Sequence, residues 1–213
     1  MPTVKKDYTL YDVRQGSKDW KEMRRGRITM SMIGTVVGHS PYWKGTEKQL
    51  AEIIKGNLVK SFTPEQQKRV DDGNLYEPKV RKFLSKKIGK KIYETGFAVW
   101  NKDDRFGASL DGIIDDETGI EIKCPQEMYP PILEYMEKLS RGEAGKDDIG
   151  HIWKSQYDQI IGNGVITGRK YMIFCVYSIK QKIFFTQTVK VDYDYWFDFL
   201  YPKAVDFFQK YLV

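Results

Sequence analysis

Only two cysteines and two histidines occur in 213 residues. Cys124 and Cys175 lie far apart and offer neither a disulfide framework nor the paired spacing of a zinc site, so a reducing, intracellular compartment is expected. His39 and His151 are isolated from each other and from any ligand set, and both read as structural. No apolar run approaches the length of a membrane span, and residues 1–12 lack the apolar core of a signal peptide. Internal repeats and low-complexity tracts are missing too. These absences leave a membrane-free, disulfide-free globular protein.

Hydrophobic residues make up 41% of the chain, which excludes a disordered polymer, and the length suits one domain, residues 1–213, with its own core. Aromatic residues reach 14%, enough for a core with some rings left to stack on bases or sugars. Against 29 acidic residues stand 35 basic ones, a net charge of +6. That excess favours a polyanionic partner without identifying it.

Residues 1–60 read as helical. Ser17 caps a helix with Trp20 and Met23 on one face, and Gly26 ends it. Ser31 caps a second, short helix closed by Gly38, and a third runs from Thr46 to Lys55. Pro64 starts another turn, and helical rhythm resumes from Gly73 to Ile88, with a boundary or kink expected at Pro78. The period then changes to that of strands at Gly96–Trp100, Phe106–Asp115 and Gly119–Cys124. A helix near His151–Ile161, strands at Tyr171–Tyr177 and Ile183–Val191, and an aromatic-rich helix over Tyr195–Tyr211 complete the chain. The segment 128–150 carries no recognisable motif and is placed to form a lid or a DNA-contacting loop. The order of elements implies an α/β fold, a central mixed β-sheet flanked by helices, with the catalytic core in 73–191 and a terminal helix in 195–213.

Chemistry concentrates in FGASLDGIIDDETGIEIKCP, residues 106–125. A hairpin centred on Asp116 puts Asp111, on the second strand, opposite Glu121, with Cβ atoms roughly 4.5–5.5 Å apart. Strand alternation sends Glu121 and Lys123 to one face and Ile120 and Ile122 to the buried one. Two carboxylates at that range repel, and a divalent cation resolves the conflict; hard oxygen donors suit Mg²⁺ or Mn²⁺. The backbone carbonyl of Ile122 is a further donor, and Lys123 is placed to orient or deprotonate an attacking water and to offset developing negative charge. An ordinary surface hairpin with a wet charged side has the same bare pattern.

The spacing Asp111-x₉-Glu121-x-Lys123 resembles the core of the PD-(D/E)xK nuclease superfamily, and three ordered blocks narrow the likeness to the lambda-exonuclease or YqaJ-type viral recombinase family. The blocks are RQGSKDWKEMRRGRITMS (14–31), GNLYEPKVRKFL (73–84) and SLDG…GIEIKCP (109–125). The resemblance implies a restriction-endonuclease-like core. It implies Mg²⁺, one ion or two, at Asp111, Glu121, Ile122 and Glu77, with Lys123 serving the water. It also implies an active-site glutamine on the helix after the third block, where Gln159 is favoured by position and Gln156 is the alternative. For the 5′-terminal phosphate of DNA it implies Arg24, Ser31 and Ser109. The residues alone leave Arg24 readable as a solvated arginine and Glu77 as a surface acid.

By the same resemblance the chain is a 5′→3′ exonuclease on linear double-stranded DNA ends. It leaves 3′ tails for recombination or repair, as a ring-shaped homotrimer working with a single-strand annealing protein. The superfamily's iron–sulfur variants need four cysteines and are excluded by two. A structure-specific or restriction-type endonuclease and a non-catalytic DNA-binding module are the alternatives.

Overall fold

The protein is described by a computed structural model over residues 3–59 and 61–213; residues 1, 2 and 60 of the expected segments lie outside the described residues. The elements run β1 (Thr3–Val4), β2 (Tyr8–Tyr11), α1 (Lys18–Arg24), β3 (Ile28–Thr29), α2 (Met30–Val36), α3 (Glu47–Ile54), α4 (Pro64–Ile88) and β4 (Phe97–Trp100). They continue with β5 (Phe106–Ala108), β6 (Gly112–Ile113), β7 (Thr118–Lys123), α5 (Pro130–Ser140), α6 (Lys154–Ile166), β8 (Tyr171–Tyr177) and β9 (Phe184–Lys190). The last helical stretch joins α7 (Tyr193–Tyr195), a π-helical turn (Trp196–Leu200) and α8 (Tyr201–Tyr211).

The expected mixed sheet flanked by helices is present in two parts. One sheet has the order β1-β2-β4-β5-β3 and the other β6-β7-β8-β9. Each is mixed: β3 and β5 pair in parallel in the first, β7 and β8 in the second, and the other neighbours are antiparallel. The segment read as one strand from Phe106 to Asp115 is the bridge between them. It leaves the first sheet after Ala108 and enters the second at Gly112. At the crossing the Leu110 carbonyl accepts from Gln15 Nε2 (3.1 Å) and Thr95 Oγ1 (2.9 Å), and the Asp111 carbonyl accepts from Arg81. Side chains thus supply partners that the interrupted ladder cannot.

Several expectations are corrected. The N-terminal quarter holds three strands among its helices; two of them, β1 and β3, span two residues each, too short for any periodicity to show. Ser31 is not a cap: β3 runs straight into α2, so Thr29 takes the N-cap position and Ser31 is the second helical residue. Helix α4 is continuous for 25 residues through Pro78, starting from a Thr63 capping box and ending at left-handed Gly89 (φ 67°). Pro78 lacks an amide hydrogen, and the Asn74 carbonyl it fails to serve belongs to an exposed residue, where water is a substitute. Segment 128–150 needs no correction and holds α5, with Ile132 and Tyr135 buried.

The second sheet is covered on both faces. Val80 and Leu84 of α4 pack on Ile120, Ile122 and Cys175. Met172, Phe174 and Val176 point into the main core with α2, α6 and the aromatic C-terminal helix, where Trp196 is fully buried. Helix α6 is buried on every side from Ile160 to Ile166. Glycine makes that possible: a Cβ at Gly162 would stand 2.2 Å from Met30 Sδ, and one at Gly34 of α2 would stand 2.7 Å from the Ser155 backbone. Gly34→Ala is expected to lower stability by about 1–3 kcal/mol, because it must push a backbone away. Gly73→Ala, in open space on α4, is expected to raise it by about 0.5–1 kcal/mol. Thermal or denaturant unfolding of the two variants measures this opposition of sign.

Candidate active site

The β6–β7 hairpin pairs Gly112 with Ile120 and Ile113 with Gly119, which centres it on residue 116 as expected. Asp111 lies one step beyond β6, at the bend between the two sheets and not on a strand as expected. It still meets β7: its N–H donates to the Ile120 carbonyl (3.2 Å), and its Oδ2 accepts from the Ile122 N–H (2.6 Å). A carboxylate has replaced a carbonyl as the last partner of the strand.

Glu121 and Lys123 project to the face opposite Ile120 and Ile122, toward α6. Lys123 Nζ lies 2.7 Å from Glu121 Oε1 and donates to Gln159 Oε1 at 3.0 Å. The other glutamate oxygen accepts from Asn163 Nδ2 at 2.8 Å. Gln159, one turn before Asn163, therefore touches the lysine, whereas Gln156 lies beside Tyr129. Glu77 approaches from α4, paired with Arg81 (3.5 Å) and within the electrostatic reach of Glu121 and Lys123.

Three carboxylates and two cations share this place. Burial, then the charges of Glu121 and Glu77, push the Asp111 carboxyl well above the usual range, against the pull of Lys123 and the Ile122 N–H. Burial likewise raises Glu77. For Lys123 burial works against the ammonium, but the Glu121 and Asp111 carboxylates outweigh it and hold the amine above its ordinary value. The neighbouring Cys124 thiol is pushed up to about 12 by burial and by Glu77 and Asp111, which leaves it inert. Among the described residues no three His, Cys, Asp or Glu side chains converge into a ready metal cage. Lys123 and Asn163 hold the oxygens of Glu121, the Ile122 amide holds one of Asp111, and Arg81 pairs with Glu77.

A second constellation gathers around Arg24. Its guanidinium stacks on the Trp20 ring (4.1 Å) and donates to Thr29 Oγ1 (3.0 Å) and Ser31 Oγ (2.9 Å). Trp20 Nε1 in turn donates to Ser109 Oγ at 2.8 Å. Arg24 bonds Ser31 directly and is joined to Ser109 through the Trp20 indole, and Ser109 stands two residues before the bend at Asp111. Arg24 makes no ion pair among the described residues, and burial lowers its pKa to about 10. The cation is short of an anion.

Sequence reasoning passed over Trp20, Thr29, Arg81 and Asn163. Trp20 read as a helix-face residue, yet α1 buries nothing. Asn163 carries no local signal, since its partner is 42 positions away, and Arg81, one turn from Glu77, also holds the Asp111 carbonyl 30 positions away. The histidines are structural as expected: His39 pairs with buried Asp158 at 2.8 Å and His151 stacks on Tyr135. In the lysine cluster, Lys87 and Lys91 lie over Phe184 and Tyr93, and Lys90 faces Asp115.

Two mixed sheets flanked by helices, with a hairpin that presents paired carboxylates and a lysine, define a restriction-endonuclease-like α/β fold. The chain belongs to the family of the YqaJ-like viral recombinase domain, whose model matches residues 19–170. Its fold is shared with an alkaline exonuclease (LHK-Exo) from Laribacter hongkongensis at 20% identity and TM-score 0.68, over 91% of this chain and 92% of that one. The same enzyme in complex with dAMP gives 0.67 over the same shares at 20% identity. A phage related exonuclease from Haemophilus somnus 129PT gives 0.59 at 12% identity, over 90% and 96%. No curated protein sequence matches the chain.

The raised carboxyl of Asp111 fixes the sign of a pH effect in metal-free protein. Its protonated form is favoured by folding, so its contribution to stability is full below the ordinary aspartate value of about 4 and is lost as pH rises through the raised one. Asp111→Asn removes that loss. The variant is expected to melt above the parent, by about 2–4 °C per kcal/mol relieved, with the gap widening as pH rises above the ordinary aspartate value of about 4. Calorimetry in chelator measures it, and a gap that shrinks as pH rises contradicts the electrostatic account.

Proposed function

We propose that the chain is a divalent-metal-dependent 5′→3′ exonuclease that shortens linear double-stranded DNA and leaves 3′ single-stranded tails for recombination or repair. The observation that carries the reading is the meeting of Asp111, Glu121, Lys123 and Gln159 in one place, beside an arginine that lacks an anion. Membership of the viral recombinase family and the fold shared with the exonucleases above support it.

The donor set fits a hard divalent cation. Asp111 is buried as a carboxyl that cannot ionise cheaply next to Glu121, and an ion is the group that would relieve both. Asp111, Glu121 and the Ile122 carbonyl would hold Mg²⁺, with Mn²⁺ as a substitute and Glu77 completing the set for one ion or two. When bound, the ion supplies a more acidic water and polarises a phosphoryl oxygen. Lys123, held as an ammonium, is a donor and not a base in this state. It orients the attacking water and steadies the negative charge that gathers on the phosphate oxygens. Gln159 fixes the lysine, and Asn163 fixes Glu121. Water adds to phosphorus, the bond to the 3′ oxygen breaks, and that oxygen leaves with a proton.

Arg24, Ser31 and Ser109, with Thr29, would take the 5′-terminal phosphate and so set polarity. The guanidinium matches a phosphate with two parallel donors. On the same reading the chain acts as a homotrimer around DNA, alongside a single-strand annealing protein.

End-labelled linear duplex with Mg²⁺ is expected to shorten from its 5′ ends and to stay whole with chelator, while a covalently closed circle stays intact. Nicking of the circle would favour the restriction-type alternative. Asp111→Asn is expected to bind ends and shorten none.

Arg24→Ala is expected to cut the preference for 5′-phosphorylated over 5′-hydroxyl ends about tenfold or more, the scale of one charge-assisted hydrogen bond. Competition between the two kinds of end reads this out, and an unchanged ratio removes Arg24 from the phosphate site.

A further inference from the structure

Three aromatic rings form a stair beside the catalytic lysine. Tyr42, in the loop after α2, is 71% exposed, and its ring lies 5.9 Å from that of Trp153, tilted by 56°. Trp153 lies 4.5 Å from Tyr129, tilted by 36°. Tyr129, between β7 and α5, is close enough to Lys123 for each to feel the other's charge. The stair thus begins in solvent and ends at the reacting centre. Neither Tyr42 nor Trp153 belongs to the buried core, and Trp153 packs on Tyr129, which lies against it.

The outer end of the stair is flanked by positive charge, while its inner end meets the Glu121 and Asp111 carboxylates beside Lys123. Segments 39–46 and 150–157 contain no acidic residue, and Lys44 and Lys154, each exposed, stand next to or two positions from a ring of the stair. Exposed rings between cations are the composition that holds single-stranded nucleic acid, because every base offers a flat face and every linkage a negative charge. A face meant for an acidic protein would need no ring leading inward to the lysine.

We infer that Tyr42, Trp153 and Tyr129 are a stacking platform for unpaired nucleobases at the end of the DNA, holding the strand whose phosphodiester lies at Lys123. The inference rests on the nuclease reading and adds to it where the frayed bases go. In this arrangement the terminal base pairs open as the linkage reaches the buried carboxylates. Rings that stack the freed bases offset the lost base-pair stacking. Tyr42 is the outermost contact, and its removal leaves the core untouched.

The test uses the full chain in chelator, with duplex carrying 2-aminopurine at the terminal positions of the 5′-phosphorylated strand. Binding of the parent is expected to quench the fluorescence of one or more of these bases by ring stacking. Tyr42→Ala should weaken binding of frayed ends by about tenfold and lose quenching, while Tyr42→Phe keeps both. With Mg²⁺, Tyr42→Ala should slow blunt duplex more than duplex with mismatched, already opened ends. Equal quenching and equal affinity in parent and Tyr42→Ala overturn the platform. So does a Tyr42→Phe variant as weak as Tyr42→Ala, since stacking needs the ring and not the hydroxyl. Failure of the nuclease reading shows separately, as a parent that binds ends and never shortens them. Capture of a protein by this face with no response to DNA would also overturn the platform.

Discussion

Two carboxylates, Asp111 and Glu121, are forced side by side where water is largely shut out, at 9% and 2% exposure. Water would separate such charges; here the hairpin register does not allow it. Everything nearby answers to that constraint. Lys123 leans onto Glu121, Asn163 holds its second oxygen, and the Ile122 amide turns to Asp111. Breaking a buried pair of this kind by removing one partner typically costs about 3–5 kcal/mol, because the other charge is stranded. Lys123 is therefore part of what holds the fold together at this point.

The crossing between sheets gives Asp111 its second property. A residue in mid-strand has its carbonyl committed to a neighbour and its side chain committed to a face. At the bend, Arg81 takes the Asp111 carbonyl from α4 while Gln15 and Thr95 take that of Leu110. Three separate parts of the chain thereby fix the direction in which one carboxylate leaves the backbone. The same crossing sets Ser109, two residues earlier, against the Trp20 indole. A single short segment thus connects the Arg24 cluster, through the Trp20 indole, to the acidic pair.

Much of this was legible in the order of residues. Register could be read because a short hairpin with a four-residue turn has only one centre, and alternation then sorts Glu121 and Lys123 from Ile120 and Ile122. Strands β8 and β9 stood out as runs of β-branched and aromatic residues. The division into two sheets was not legible, since Phe106–Asp115 keeps one apolar rhythm across the bend. Nor were β1 and β3, whose two residues pair only because distant strands are already in place. Helix α5 shows the spacing of Ile132, Tyr135, Met136 and Leu139 that a helix requires, disguised by two prolines at its start. Asn163 could not be read at all, its partner being distant in the chain, and the Glu77–Arg81 spacing of one turn gave no hint of the Asp111 carbonyl that Arg81 also holds.

Helix α6 is where these demands meet. Along its 13 residues it offers Gln159 to Lys123, Asn163 to Glu121, Asp158 to His39 and Tyr195, and Gly162 to Met30 and Trp196. No side of it faces open water at its C-terminal half. Such a helix has little evolutionary latitude: a larger residue on its packed side would shift the rod, and a shift of the rod would be felt at once by the polar groups on its other side. Change in this stretch must come in compensating pairs, so relatives of this chain should differ there in concert or hardly at all.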